Sequence, residues 1–222
     1  MASERCPGCG GFLSEGLELC LPCKASERDR KERAKEAADK RIADRAKAIE
    51  STIGAFPEVI RETDLTQMDE KLRKVVEDYN PAIRESWVLF GATRVGKTRT
   101  AFLLAKKYSE HMGLPCTFLT MRKFEATIEQ SFRDKRHSEA LDKLVSVPFL
   151  IIDDFGKERL TERLAVDLFA IIDERTADRR PTIITTNLTG DLLESKFASI
   201  EPNLAAALVA RIREFFRRVA IF

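Results

Sequence analysis

The chain has 222 residues, 44% of them hydrophobic and 33% charged, enough for one α/β domain of about 150–170 residues and a smaller element. Its 38 basic and 36 acidic side chains leave a formal charge of only +2, so there is no global basic signature and any affinity for nucleic acid must come from a local patch. No apolar run approaches the ~20 residues of a membrane span, and the N-terminus lacks a secretory core, so the composition reads as cytoplasmic, with no membrane partner.

Four of the five cysteines fall in the first 23 residues. Cys6-Pro7-Gly8-Cys9 and Cys20-Leu21-Pro22-Cys23 are C-x-x-C knuckles ten residues apart. A two-residue spacer lets two thiolates of one tight turn occupy adjacent corners of a tetrahedron, so Cys6, Cys9, Cys20 and Cys23 read as a structural Zn²⁺ site, with a redox pair as the rival reading. So short a segment cannot bury a core of its own, and the metal must hold it together. Residues 1–24 are therefore expected to form a small zinc ribbon. Cys116 stands apart in an apolar run and reads as a small buried hydrophobe.

Residues 25–50 are nearly all Lys, Arg, Glu, Asp and Ala, a composition with high helix propensity and little to bury. They predict a charged helical linker with i,i+4 ion pairs. From 51 to 86 apolar residues return, and Met68, Leu72 and Val75/Val76 share one face of a helix that Asn80-Pro81 ends. This lead-in is expected to pack on the domain that follows, so that 51–222 form one unit.

Trp87–Phe90 predicts a strand, and Gly91-Ala92-Thr93-Arg94-Val95-Gly96-Lys97-Thr98 fits G-x-x-x-x-G-K-[ST] without a gap before an amphipathic helix from Thr98 to about Tyr108. Strand, glycine-bounded loop and helix are the context a phosphate-binding loop requires. Its successive N–H groups wrap phosphates at a helix N-terminus, Lys97 reaches the β- and γ-phosphates, and the Thr98 hydroxyl ligates Mg²⁺. Gly91 through Thr98, with Arg99 beside them, are the expected nucleotide contacts.

A second strand is expected at Cys116–Thr120, helices near 121–133 and 137–145, and a third strand over Phe149-Leu150-Ile151-Ile152-Asp153-Asp154. Its end is where an acid must stand to reach the Mg²⁺ of the loop. Asp153 is assigned to the metal and Asp154 to the attacking water, because neighbouring side chains on a strand alternate in direction. A turn at 155–159 and a helix from Thr161 to Thr176 lead to a fourth strand, Thr182–Thr185, tipped by Thr186-Asn187. An Asn there can hydrogen-bond the γ-phosphate or the water, the sensor-1 task. A loop with Gly190 and Pro202, a helix Leu204–Phe216 and a last strand Val219–Phe222 complete five strands with helices between, an α/β class with a mostly parallel sheet.

The loop at 91–98, Leu150-Ile151-Ile152-Asp153-Asp154-Phe155-Gly156, Thr182-Ile183-Ile184-Thr185-Thr186-Asn187 and Ala210-Arg211-Ile212 together resemble the AAA+ ATPases of the bacterial helicase-loader group, which includes the DnaC and DnaI proteins and the IstB transposition helpers. The resemblance covers about residues 65–222. It implies a P-loop NTPase of the ASCE type with sheet order 5-1-4-3-2, ATP or ADP at the carboxyl ends of the strands, and subunits that assemble on ATP binding. It also implies that Arg211 is the arginine given to a neighbour's γ-phosphate, with Arg175 a second inter-subunit arginine or a structural salt bridge. By the same resemblance the function would be assembly- or DNA-stimulated ATP hydrolysis in DNA replication, expected to be slow because Asp154 is one methylene shorter than the commoner Glu. The partners would be single-stranded DNA and a replicative helicase, or, in the alternative, duplex DNA and a transposase. The chain departs from the group's pattern in Arg94, which replaces a glycine, in Asp154, which replaces the commoner Glu, and in the absence of a C-terminal helical lid.

Overall fold

The computed structural model describes residues 5–11, 18–19, 21–157, 161–198 and 202–221. Cys20, the turn residues 158–159 and Phe222 lie outside them. The chain divides into two compact units, Met1–Asp44 and Arg45–Phe222.

In the first unit the Cys6 N–H donates to Gly11 O at 2.7 Å and the Gly10 N–H to Cys6 O at 2.8 Å, closing the first knuckle on itself. The helix α1 (Leu21–Ala55) begins here. Between 26 and 47 nearly all of its described side chains are exposed, as expected where charges surround the helix. A Lys31–Glu27 pair at 2.7 Å supplies one i,i+4 link.

The second unit opens with the end of α1, the single turn α2 (Glu58–Arg61) and α3 (Glu70–Asp78). The Asp69 side chain accepts the Leu72 N–H and caps α3. Met68, Leu72 and Val76 are buried, as the periodicity requires, although Met68 lies before the helix. Next come β1 (Ser86–Phe90), α4 (Lys97–Met112), β2 (Cys116–Thr120), α5 (Met121–Arg133), α6 (His137–Ser146), β3 (Phe149–Phe155), α7 (Glu162–Ala177), β4 (Thr182–Thr186), α8 (Gly190–Ala198), α9 (Pro202–Phe215) and β5 (Phe216–Ala220). Every one of the four pairings is parallel and the order is β2-β3-β4-β1-β5. That is the expected 5-1-4-3-2 arrangement, and parallel neighbours oblige each connection to cross over through helices.

Strand alternation builds two apolar layers. Trp87, Leu89, Phe118, Phe149, Ile151 and Ile183 pack against α4, α3 and Phe56. Val88, Leu150, Ile152, Ile184 and Phe216 face α5 through α9. With both faces covered, the central strands read as continuous apolar runs.

Two expectations near the C-terminus need correction. Residues 190–198 form the helix α8, which buries Leu193 and Phe197. The last strand begins at Phe216, not Val219, because Phe216 pairs with Ser86 and sinks into the core while α9 stops at Phe215. Cross-strand pairing and burial outweigh the helical spacing of Ile212, Phe215 and Phe216. Arg217 and Arg218 then place two charges on an edge strand.

Candidate nucleotide site

Three positions of the loop between β1 and α4 have special backbones. Gly91 has φ 155°, and a Cβ on it would lie 1.9 Å from Ile221 O, so the chain beyond β5 leaves no room for a side chain there. Gly96 has φ 94° and passes close beneath Leu72. Arg94 adopts φ 68°, the left-handed conformation that glycine takes without cost. The departure noted in the sequence therefore falls at a position whose geometry favours the missing glycine.

The loop opens onto a cleft of about 790 Å³. Thr93, Arg94, Val95, Gly96, Lys97, Thr98 and Arg99 line it, and Asp154, Lys157 and Asn187 approach from β3 and β4. Lys97 is buried, and its ammonium donates to Gly91 O at 2.9 Å and Ala92 O at 2.5 Å. Burial pushes the Lys97 pKa down, while the carboxylates of Asp154 and Asp153 oppose that shift. Asn187 Nδ2 lies 3.4 Å from Thr93 Oγ1, so the tip of β4 touches the loop.

The two acids occupy different surroundings. Asp153 is buried, and its Oδ1 accepts from Thr185 Oγ1 at 2.6 Å and Thr98 Oγ1 at 2.9 Å. Burial raises the Asp153 pKa, and the Thr185 and Thr98 hydrogen bonds offset part of the rise. Asp154 is partly exposed, has φ 59°, and pairs with Lys157 at 3.1 Å. One carboxylate is thus fixed beside the Thr98 hydroxyl, and the other faces the open cleft. Hard oxygen donors of this kind suit Mg²⁺, which keeps most of its own waters and takes one or two protein oxygens.

Arg211 does not line this cleft. Its guanidinium pairs with Asp173 at 2.6 Å, joining α9 to α7 at the surface. Arg175 contradicts both readings offered for it. It is fully buried and donates to Leu144 O, Val145 O, Val147 O, Pro181 O and Thr182 Oγ1 at 2.8–3.0 Å. Burial pushes its pKa down to about 9, so it stays charged at neutral pH, held by carbonyls without a carboxylate. A side chain so enclosed cannot reach another subunit.

Sequence reasoning missed three contributions. Ile60, Gln67, Met68, Asp69 and Leu72 line the far side of the cleft; such a lead-in lines the base pocket in many P-loop proteins, but the sequence nominated none of these side chains for it. Lys157 gave no signal beyond its nearness to Asp154. Thr185 looked like an ordinary strand former.

In the first unit the Sγ atoms of Cys6, Cys9 and Cys23 all lie within 4.8 Å of one another. A Cβ on Gly8 would meet Cys23 Sγ at 3.1 Å, so the knuckle folds tightly over the cluster. Three converging thiols are a soft donor set that fits Zn²⁺, and Cys20 lies outside the described residues. Cys116 is buried, as expected, and burial pushes its thiol up to about 12.

A phosphate-binding loop after β1, acids at the end of β3 and an Asn at the tip of β4, set in this strand order, define a P-loop ATP-binding protein of the AAA+ class. The family model described as IstB-like ATP binding protein matches residues 58–221, and the chain belongs to that family. It is 32% identical over 105 residues to an insertion-sequence ATP-binding protein of Pseudomonas fluorescens, covering 47% of this chain and 45% of that one. To the replicative helicase loader DnaC of Escherichia coli it is 27% identical over 119 residues, covering 53% and 48%. The chain thus spans about half the length of the curated relatives it matches. The crystal structure of DnaI superposes with a TM-score of 0.64 at 23% identity, over 75% of this chain and 95% of that one, a likeness of fold. Among the described residues no helix is long and apolar enough to cross a membrane.

Proposed function

We propose that this protein is a slow ATPase that assembles on ATP and loads a replicative helicase onto single-stranded DNA. The observation that supports this reading is one cleft lined by the loop, Asp154 and Asn187, with Asp153 behind Thr98 and Arg211 outside it at the surface of α9.

In the reaction, the backbone N–H groups of 91–98 and the Lys97 ammonium hold the triphosphate once Lys97 leaves the two carbonyls it now engages. Thr98 and Asp153 would hold Mg²⁺, which when bound would draw charge from the phosphate oxygens. Asp154 orients the attacking water and accepts its proton, with Asn187 as a second polar group on the same water. Arg211 of an adjacent subunit neutralises charge on the γ-phosphate, a role that an arginine can perform in trans. The Asp173 pair keeps Arg211 at the surface of its own subunit until a neighbour's phosphate competes for it. Cys6, Cys9 and Cys23, with Cys20 as the expected fourth ligand, would hold a structural zinc in an N-terminal ribbon, 1–24, followed in the chain by the helical linker 25–50 and the ATPase unit 51–222.

The family match and the insertion-sequence relative favour a second reading, an ATP-dependent regulator of a transposase that binds duplex DNA. One experiment separates the two. The protein is sized with ADP and with a non-hydrolysable ATP analogue, alone and with single-stranded or duplex DNA, and ATP turnover is measured under the same conditions. Loading predicts analogue-dependent assembly and stimulation by single strands; the second reading predicts the duplex preference. Failure to bind any nucleotide would sink both.

A further inference from the structure

We propose that Thr185 is a positioning residue that sets the two acids of the ATPase site through one hydroxyl. The inference rests on the ATPase reading above and concerns a residue in the middle of a strand.

The pairing of β3 with β4 loses register at this point. Ile152 stands opposite Ile184 and Phe155 opposite Thr186. Two residues of β3, Asp153 and Asp154, therefore face the single residue Thr185. This is a β-bulge, the device by which a strand re-aims side chains beside a functional site. Asp154 takes up the extra length with φ 59°, outside the strand region. A bulge leaves an N–H without its ladder partner, and here Asp154 N–H donates to Thr185 Oγ1 at 3.0 Å. The same hydroxyl gives its own hydrogen to Asp153 Oδ1 at 2.6 Å.

A hydroxyl has one hydrogen to donate and lone pairs to accept with, and Thr185 uses both kinds of capacity on adjacent residues. Its side chain is 1% exposed, so water cannot substitute for it. Together with Thr98 it occupies Oδ1 of Asp153, which leaves Oδ2 as the oxygen for a metal or its bound water. The bulge separates the work of Asp153 from that of Asp154, and Thr185 locks the bulge. Valine has the shape of threonine without the hydroxyl, whereas serine keeps the hydroxyl and drops the methyl.

The test compares Thr185→Val and Thr185→Ser with the parent for ATP affinity with Mg²⁺ and with EDTA, for turnover, and for thermal midpoint without nucleotide. In Thr185→Val the gain in ATP affinity that Mg²⁺ confers should shrink by about 10–100-fold, the usual cost of losing a group that orients a metal ligand. Affinity in EDTA should stay at the parent value, and Thr185→Ser should restore the Mg²⁺ gain. Equal loss of affinity with and without Mg²⁺, or a serine variant no better than valine, overturns the proposal in favour of a packing role. If the Val variant does not fold, the serine variant still decides: it must match the parent in Mg²⁺ gain and turnover. Should the parent itself show no Mg²⁺-dependent ATP binding, the ATPase reading fails, an outcome distinct from a parent that binds normally and a Thr185→Val variant that does too.

Discussion

At the residue scale the candidate site trades stability for chemistry, and the trade can be measured. Asp153 is an acid whose burial raises its pKa, so its charged form is disfavoured in the fold relative to the unfolded chain. The stability linked to its proton is fully present below the unfolded pKa and is lost as pH rises through the folded one. At neutral pH the ionised carboxylate is a net cost. Asp153→Asn keeps an oxygen that can accept from Thr98 and Thr185, and should raise the nucleotide-free midpoint by a few degrees near pH 7. The advantage should fade as pH falls below the range where Asp153 ionises, and Mg²⁺-dependent affinity should be lost throughout. Thermal melts across pH check the sign; a midpoint lowered at pH 7 would show that the charge is better compensated than its burial implies.

Arg94 makes the same point in the backbone. A side chain at φ 68° costs about 1–2 kcal/mol, against which a glycine would lose extra chain entropy. Arg94→Gly should therefore gain about 0.5–1 kcal/mol of stability while weakening triphosphate binding. A more stable variant with unchanged ATP affinity would mean that Arg94 merely projects into solvent. That the loop, Asp153 and Asp154 and Asn187 would come together was legible, because each proposed phosphate or metal role demands a particular residue type at a particular place. Thr185 was not, because threonine in a strand is unremarkable until a bulge brings two acids opposite it.

At the scale of elements, what escaped the sequence is what depends on contacts between distant segments. Arg175 sits in a helix whose pattern says only that one face is apolar. Its four carbonyl partners and Thr182 come from the end of α6, the turn before β3 and the start of β4, a set only the folded chain assembles. Arg175→Met should strip these carbonyls of their shared donor in a dry setting, leaving Arg180 on Val145 O and the Leu150 N–H on Pro181 O, and cost about 3–5 kcal/mol. Urea unfolding would read this directly. A fully stable variant defective only in assembly would return Arg175 to the inter-subunit role.

The C-terminal end is the second case. Helical spacing hid the start of β5, and nothing local to Gly91 announced that Ile221 would pass over it. Because Ile221 N–H donates to Phe90 O at 2.8 Å, the first glycine of the loop and the end of the chain share one close contact. Gly91→Ala should cost at least about 2 kcal/mol through strain and displacement of β5, and should weaken ATP binding as well. Hydrogen exchange would show the loss of protection at 216–221. An alanine variant with parental protection there would mean that the close approach relaxes without consequence.

For the whole molecule the question is whether the working unit is one chain or several. Sheet order was readable through the family resemblance, and the meeting of loop, Asp154 and Asn187 at one cleft from motif order, since an α/β sheet presents its ligands at the carboxyl ends of its strands. Assembly is proposed from the resemblance alone, because a trans arginine would be idle in an isolated subunit. The proposed trans role would suit the Arg211–Asp173 pair, an exposed ion pair worth little by itself and therefore cheap to exchange for a phosphate. Two crippled subunits can test this. Lys97→Ala removes the cation its own nucleotide needs but keeps Arg211 for a neighbour. Arg211→Ala keeps the cleft but has no arginine to give. Each alone should hydrolyse ATP poorly, the second by about 10³–10⁵-fold if its arginine supplies the usual transition-state charge. The Arg211→Ala protein should still bind the ATP analogue with parental affinity. Mixed at equal concentration, the pair should recover turnover that rises with total protein, since every Lys97→Ala subunit can serve an intact cleft beside it. If Arg211 instead acted within its own chain, mixing would restore nothing. If it only held α9 to α7, then Asp173→Ala would reproduce the loss, whereas the trans role leaves that variant active and freer to assemble.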